Sequence, residues 1–161
     1  MHAEQKEFLE EHFTVKEWHG RSGSGRRMVK GFRVEGSEIK NWVLRRVKRD
    51  EQAGTSTLRS LWSHGDSGEE LLSVDVFECA SVKAAHDQLL EVLANFQSPK
   101  IERKTEKSAP GDVAFGLANT MILFARANLA VSIRNAGPRL VPVGVVAREL
   151  DAQILRRVES E

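Results

Sequence analysis

Apolar residues along this chain recur in two periods. From Leu71 to Cys79 they alternate. Leu72, Val74 and Val76, with Glu78, fall on one side of an extended chain, and Ser73, Asp75, Phe77 and Cys79 fall on the other. "LLSVDVFEC" is therefore predicted as a strand, and apolar groups on both sides make it a central one. From Ser81 the period becomes helical: Val82, Ala85, Leu89, Leu93 and Phe96 form one stripe, while Lys83, Asp87 and Glu91 face away. Ser81 stands where its hydroxyl can accept a hydrogen bond from an amide of the first turn. The helix ends before Pro99, because the residue preceding a proline disfavours helical backbone.

The same reading extends over the rest of the chain. "HAEQKEFLEEHF" predicts a short helix with Phe8, Leu9 and Phe13 on one side, packed on the first strand. "TVKEWHG" sets Val15 and Glu17 against Lys16 and Trp18 and stops at Gly20; "GRSGSGRR" after it is a loop by composition. Between Met28 and His64, "MVKGFRV", "NWVLRRVKRD" and "STLRSLWSH" predict three strands of an antiparallel meander, separated by "EGSEIK" and "EQAG". The middle strand alternates imperfectly. Trp42, Leu44, Arg46 and Lys48 share one side and Val43, Arg45, Val47 and Arg49 the other, so its far end is expected to project into solvent as a basic ribbon.

A polar connector, "SPKIERKTEKSAPGD", leads to "VAFGLA", "MILFA" and "NLAVSIR". Ala, Leu and Met favour helix here, but Gly116 and Asn119 interrupt it, and Leu129, Val131 and Ile133 alternate against Ala130, Ser132 and Arg134. Strands are predicted, with a turn near Arg126, Ala127 and Asn128 in which Asn128 is the residue suited to left-handed backbone. "NAGPRLVPVG" breaks the pattern. "VVARELDAQILRRV" is the last helix, with Val146, Leu150 and Ile154 inside and Arg148, Asp151 and Arg156 outside. The passage from strand to helix at 74–96 is thus echoed at 130–155 in pattern, though not in identity. The expected fold is one α+β domain over 1–161: an antiparallel sheet of about six or seven strands with two main helices packed on one face, a two-layer sandwich.

Charge and rare residues narrow the chemistry. The net charge is +1, but residues 1–60 hold 13 Lys and Arg against 9 Asp and Glu, whereas residues 61–100 hold 2 against 7. A basic start beside an acidic middle predicts internal pairing and disfavours nucleic acid as a partner. The single cysteine, Cys79, excludes an intramolecular disulfide and a CxxC pair, and is expected as a small buried hydrophobe. The histidines, at 2, 12, 19, 64 and 86, have no metal-ligand spacing. "GRSGSGRR" lacks the Lys-Ser/Thr ending and the strand-to-helix setting of a P-loop. Neither metal nor cofactor is expected. The longest apolar region, 121–133, is interrupted by Arg126 and Asn128 and is too short to span a membrane. "MHAEQKEFLEEHF" has no basic start followed by an apolar core, so a cytoplasmic location is expected, or a periplasmic or secreted one if a signal peptide was removed.

Three functions follow as expectations. The first is a non-enzymatic binding module whose open sheet face meets a protein or small-ligand partner through Arg126, Ser132 and Arg134, with Trp62 and His64 as further contacts. A sheet with one uncovered face also suits a homodimer. The second is a small hydrolase or isomerase whose pocket gathers His64, Asp66 and Asp75 from "SHGDSGEE" and the next strand. The third is a phosphate or nucleic-acid binder using Arg21, Arg26, Arg27, Arg45 and Arg49, with Trp42 and Trp62 available for stacking.

Overall fold

The strand read over 71–79 forms as Glu70–Glu78 and lies inside an antiparallel sheet of seven strands. The computed structural model describes residues 2–21, 28–96, 100–118 and 120–160. Its strands are β1 (Val43–Gln52), β2 (Thr55–His64), β3 (Glu70–Glu78), β4 (Glu102–Lys104), β5 (Val113–Leu117), β6 (Met121–Arg126) and β7 (Leu129–Asn135). They lie in the order β1-β2-β3-β7-β6-β5-β4. The helices are α1 (Ala3–His12), α2 (Val82–Asn95) and α3 (Gly144–Ser160). This is the expected α+β class. Ser81 caps α2 as read, its Oγ accepting from the Ala84 amide at 3.0 Å.

The helices are disposed differently from expectation. Leu89, Leu90 and Leu93 of α2 pack with Val113, Phe115, Met121, Leu123 and Ala125. Val146, Ala147, Leu150 and Ile154 of α3 pack with Ile122, Phe124, Leu129, Val131 and Ile133. Neighbouring residues of a strand point to opposite faces, so α2 and α3 cover opposite faces of the sheet. The cause is readable in β6, where every residue from Met121 to Ala125 is buried. A strand apolar on both faces needs cover on both. The echo between the two strand-to-helix passages is therefore one of sequence pattern and not of spatial symmetry.

The strand expected over 28–34 does not form. Gly31 and Gly36 adopt φ of +68° and +110°, which interrupts an extended run. The segment instead lays Val29, Phe32 and Ile39 onto the α3 face over β1 and β2 as part of the larger core. Side chains satisfy its backbone. Asn128 accepts from the Val29 amide and donates to the Val29 carbonyl, both at 2.8 Å, and Glu78 Oε1 accepts from the Phe32 amide at 2.7 Å. Arg49 Nη2 donates to the Phe32 carbonyl. "TVKEWHG" likewise is no strand: Thr14 is left-handed and a single 3₁₀ turn spans Val15–Glu17. Short β4, inside the polar connector, makes up the strand count.

Two local readings are also corrected. The imperfect alternation of β1 has a cause, a bulge between Leu44 and Arg46. It returns Leu44 to the face of Val47 and Arg49 and puts Arg46, Lys48 and Asp50 on the other. In the β6–β7 turn the left-handed residue is Ala127 (φ +53°). Asn128 serves instead as the buried bracket that holds Val29 and, through Nδ2, the Cys79 carbonyl at 3.0 Å. α1 meets α2 and the 3₁₀ turn, and Phe13 at its end sits edge-on to Phe115 of β5 and not on a first strand, while Phe8 stays exposed.

Candidate functional site

Cover is unequal along the sheet. On the α2 face, β5, β6 and β7 carry Val113, Phe115, Leu123, Ala125 and Ala130, all buried. On the same face β1 carries Arg46, Lys48 and Asp50, and β2 carries Thr57, Arg59 and Leu61, none of them buried. A helix of apolar residues gains nothing by lying over charged groups that would lose their water. Among the described residues the α2 face of β1–β3 is thus left open.

Register arranges its side chains as a grid. One row runs Arg46, Leu61, Ser73, Arg134 across β1, β2, β3 and β7. The next runs Lys48, Arg59, Asp75, Ser132. Arg46, Lys48, Arg59, Leu61 and Ser73 line a depression of about 260 Å³. Beside it, Asp75 is buried and receives two arginines, Arg59 Nη1 at 3.3 Å and Arg134 Nη2 at 3.7 Å, on the same oxygen. Burial pushes the Asp75 carboxyl above its ordinary pKa, against the pull of Arg59 and then Arg134. Arg59 is also 3.8 Å from Asp50. Arg46 and Lys48 have no hydrogen-bond or ion-pair partner among the described residues. Arg59 and Arg134 are set against Asp50 and Asp75, whereas no carboxylate is set against Arg46 or Lys48.

The residues singled out from the sequence separate. Ser132 and Arg134 do lie on the α2 face, Ser132 buried beside Asp75 and Arg134 half-exposed at the margin of the open half. Arg126 lies on the other face. It forks onto Asp151 of α3 through Nε at 2.9 Å and Nη2 at 2.8 Å, and reaches Asp112 at 3.2 Å. The two carboxylates also accept the Gly111 and Ala127 amides. This satisfied cluster pins α3 to the β5–β6 edge, and the hydrogen bonds to Asp151 raise the Arg126 pKa further. Arg126 therefore forms no patch with Arg134.

Trp62 is fully buried on the α3 face, donating from Nε1 to Ser60 Oγ at 2.9 Å, so its ring is closed to ligands. His64 is exposed at the end of β2 against Trp42 and hydrogen-bonds Glu70 at 2.6 Å. Its side chain and that of Asp75 leave the sheet on opposite faces, and Asp66 lies exposed in the β2–β3 turn. No pocket among the described residues unites the three. Of the basic set, Arg21 pairs with Asp87 at 3.1 Å, Arg45 donates to Ser63 at 2.6 Å, and Arg49 holds Ser56 and Phe32. Arg26 and Arg27 lie outside the described residues. Cys79 is buried as expected, and burial pushes its thiol up to about 11, which keeps it protonated and unreactive at neutral pH.

Arg46, Lys48, Arg59 and Ser73 were not picked out from the sequence as contacts. Their signal was present in part: Arg46 and Lys48 two apart on a strand share a face. The bulge hid which face, and the pairing of β2 with β3 that sets Arg59 beside Asp75 is not local. Among the described residues no group of His, Cys, Asp and Glu could hold a metal ion, and no helix is long and apolar enough to cross a membrane. In comparisons with known proteins, no family model, curated protein or solved structure matches this chain.

Proposed function

We propose that the protein is a binding module that uses the open α2-side face of β1–β3 to hold an acidic segment of a partner protein. The observation that carries this reading is the pair of unpartnered cations, Arg46 and Lys48, on a sheet face that no other element of the described chain covers. Leu61, opposite Arg46 on β2, adds an apolar group to the lining, and the arginine forks match carboxylates bidentately. Charge of this kind sets partner choice and on-rate more than it sets raw affinity.

The test is a fluorescence-anisotropy titration with a labelled peptide of alternating Glu and Ser, at about 50 mM and about 300 mM salt. Binding that weakens with salt, and falls about tenfold or more in the double variant Arg46→Glu, Lys48→Glu, is expected. Arg156→Glu, on the exposed side of α3, should leave it unchanged. Absence of binding, or equal loss in both variants, would overturn the proposal. So would tighter binding of a single-stranded oligonucleotide.

A further inference from the structure

The acidic segment can be specified further, from the size, charge and donor geometry of the depression over Leu61 and Ser73. Its volume of about 260 Å³ is below the roughly 300–1,000 Å³ of pockets that enclose whole small molecules, and suits one charged group. Two strands supply cations to its lining, Arg46 and Lys48 from β1 and Arg59 from β2, with Arg134 beyond Ser73 in the same row. Ser73 adds a hydroxyl to the lining.

Two features separate a phosphoryl group from a carboxylate. The first is charge. The two lining cations that no carboxylate pairs, Arg46 and Lys48, match a phosphate monoester, which carries about −1.5 to −2 at neutral pH, and exceed the single charge of Asp or Glu. The second is the number and direction of donors. A carboxylate offers two oxygens in one plane, whereas a monoester offers three around a tetrahedron and can meet cations from several sides. Arg59 already pairs with two carboxylates, Asp75 at 3.3 Å and Asp50 at 3.8 Å, so less side-chain freedom is lost on binding.

We infer that the depression ringed by Arg46, Lys48 and Arg59 is the seat of a phosphorylated serine or threonine carried by the acidic partner segment. The inference rests on the reading of this face as a binding surface for an acidic segment. The module then reads the phosphorylation state of its partner: the acidic flanks lie along the open strands, and the phosphoryl group fills the depression.

Three labelled peptides test it, identical except for a central Ser, Glu or phosphoserine, each titrated by anisotropy against the wild type and against Arg46→Gln, Lys48→Gln. The phosphoserine peptide should bind about tenfold or more tightly than the other two. The double variant should lose that preference while its melting temperature stays that of the wild type, since both side chains are exposed. If all three peptides bind alike, the phosphoryl seat is overturned while the acidic-segment reading stands. If none binds, both fall. A preference that survives in the double variant places the seat elsewhere and overturns the assignment. Displacement of the phosphopeptide by an equal concentration of inorganic phosphate would overturn the peptide as the carrier.

Discussion

β6 and β1 belong to one antiparallel ladder yet treat their two faces in opposite ways. From Met121 to Ala125 every residue of β6 is buried, between α2 on one side and α3 on the other. From Val43 to Gln52 no residue of β1 is buried, although the 28–42 segment crosses its α3 side. The hydrogen-bonded backbone is the same; the side chains decide what lies on top. One end of the sheet is thus a packed core and the other a displayed surface. Arginine has both fates: Arg126 is consumed in a satisfied internal cluster, whereas Arg46 remains available to a partner.

The sharpest way to break this contrast is to truncate one apolar residue in each region. Phe124→Ala in the covered region should cost about 3–5 kcal/mol, the loss of transfer energy plus an unfilled cavity. Leu61→Ala on the open face should cost about 1 kcal/mol or less, because solvent already reaches it. Equal shifts of the urea midpoint in the two variants would show that the open face is covered in solution.

A second pair compares the ion pairs. Asp151→Ala strips the bidentate partner from partly buried Arg126 and removes the acceptor of the Gly111 amide, and should cost about 3 kcal/mol. Asp50→Ala, whose carboxylate is exposed and 3.8 Å from Arg59, should change stability by about 0.5 kcal/mol or less. Chemical denaturation at low and high salt measures both. Salt should reduce only the smaller effect.

The smallest expected effect tests the seam between the regions. Burial raises the Asp75 pKa in the folded state above the ordinary 3.8, Arg59 and Arg134 offsetting it only in part. A raised folded pKa contributes stability that is fully present below the unfolded value and is lost as pH rises through the folded one. Asp75→Asn lacks this loss, so the variant should gain on the wild type as the pH rises above the ordinary carboxylate pKa of 3.8. Urea midpoints across that range give the sign. A trend the other way would mean that the two arginines outweigh burial.

Much of the architecture was legible from local periodicity. The strand at 71–79, the Ser81-capped helix, the last helix and the strands of 113–134 form within a few residues of their expected ends, as does the antiparallel α+β class. At the candidate site, alternation correctly put Ser132 and Arg134 opposite Leu129, Val131 and Ile133. It could not follow β1 through its bulge, since one inserted residue reverses the phase of Arg46 and Lys48. Nor could it see that "MVKGFRV" would be bound by the side chains of Asn128, Glu78 and Arg49 and so need no partner strand.

By itself, then, the sequence determined the period of the apolar positions, because that depends on neighbours two to four positions away; it did not determine that Trp62, Asn128 and Asp151, expected as a contact, a turn residue and an outer helix residue, are buried. Which face each helix covers, which carboxylate claims each arginine and which cations meet over Ser73 were decided by tertiary structure alone. Those are matters of register between strands distant in the chain: Arg46, Ser73 and Arg134 share a row only after β1, β2, β3 and β7 have paired. Local periodicity carries the elements. Long-range register carries the site.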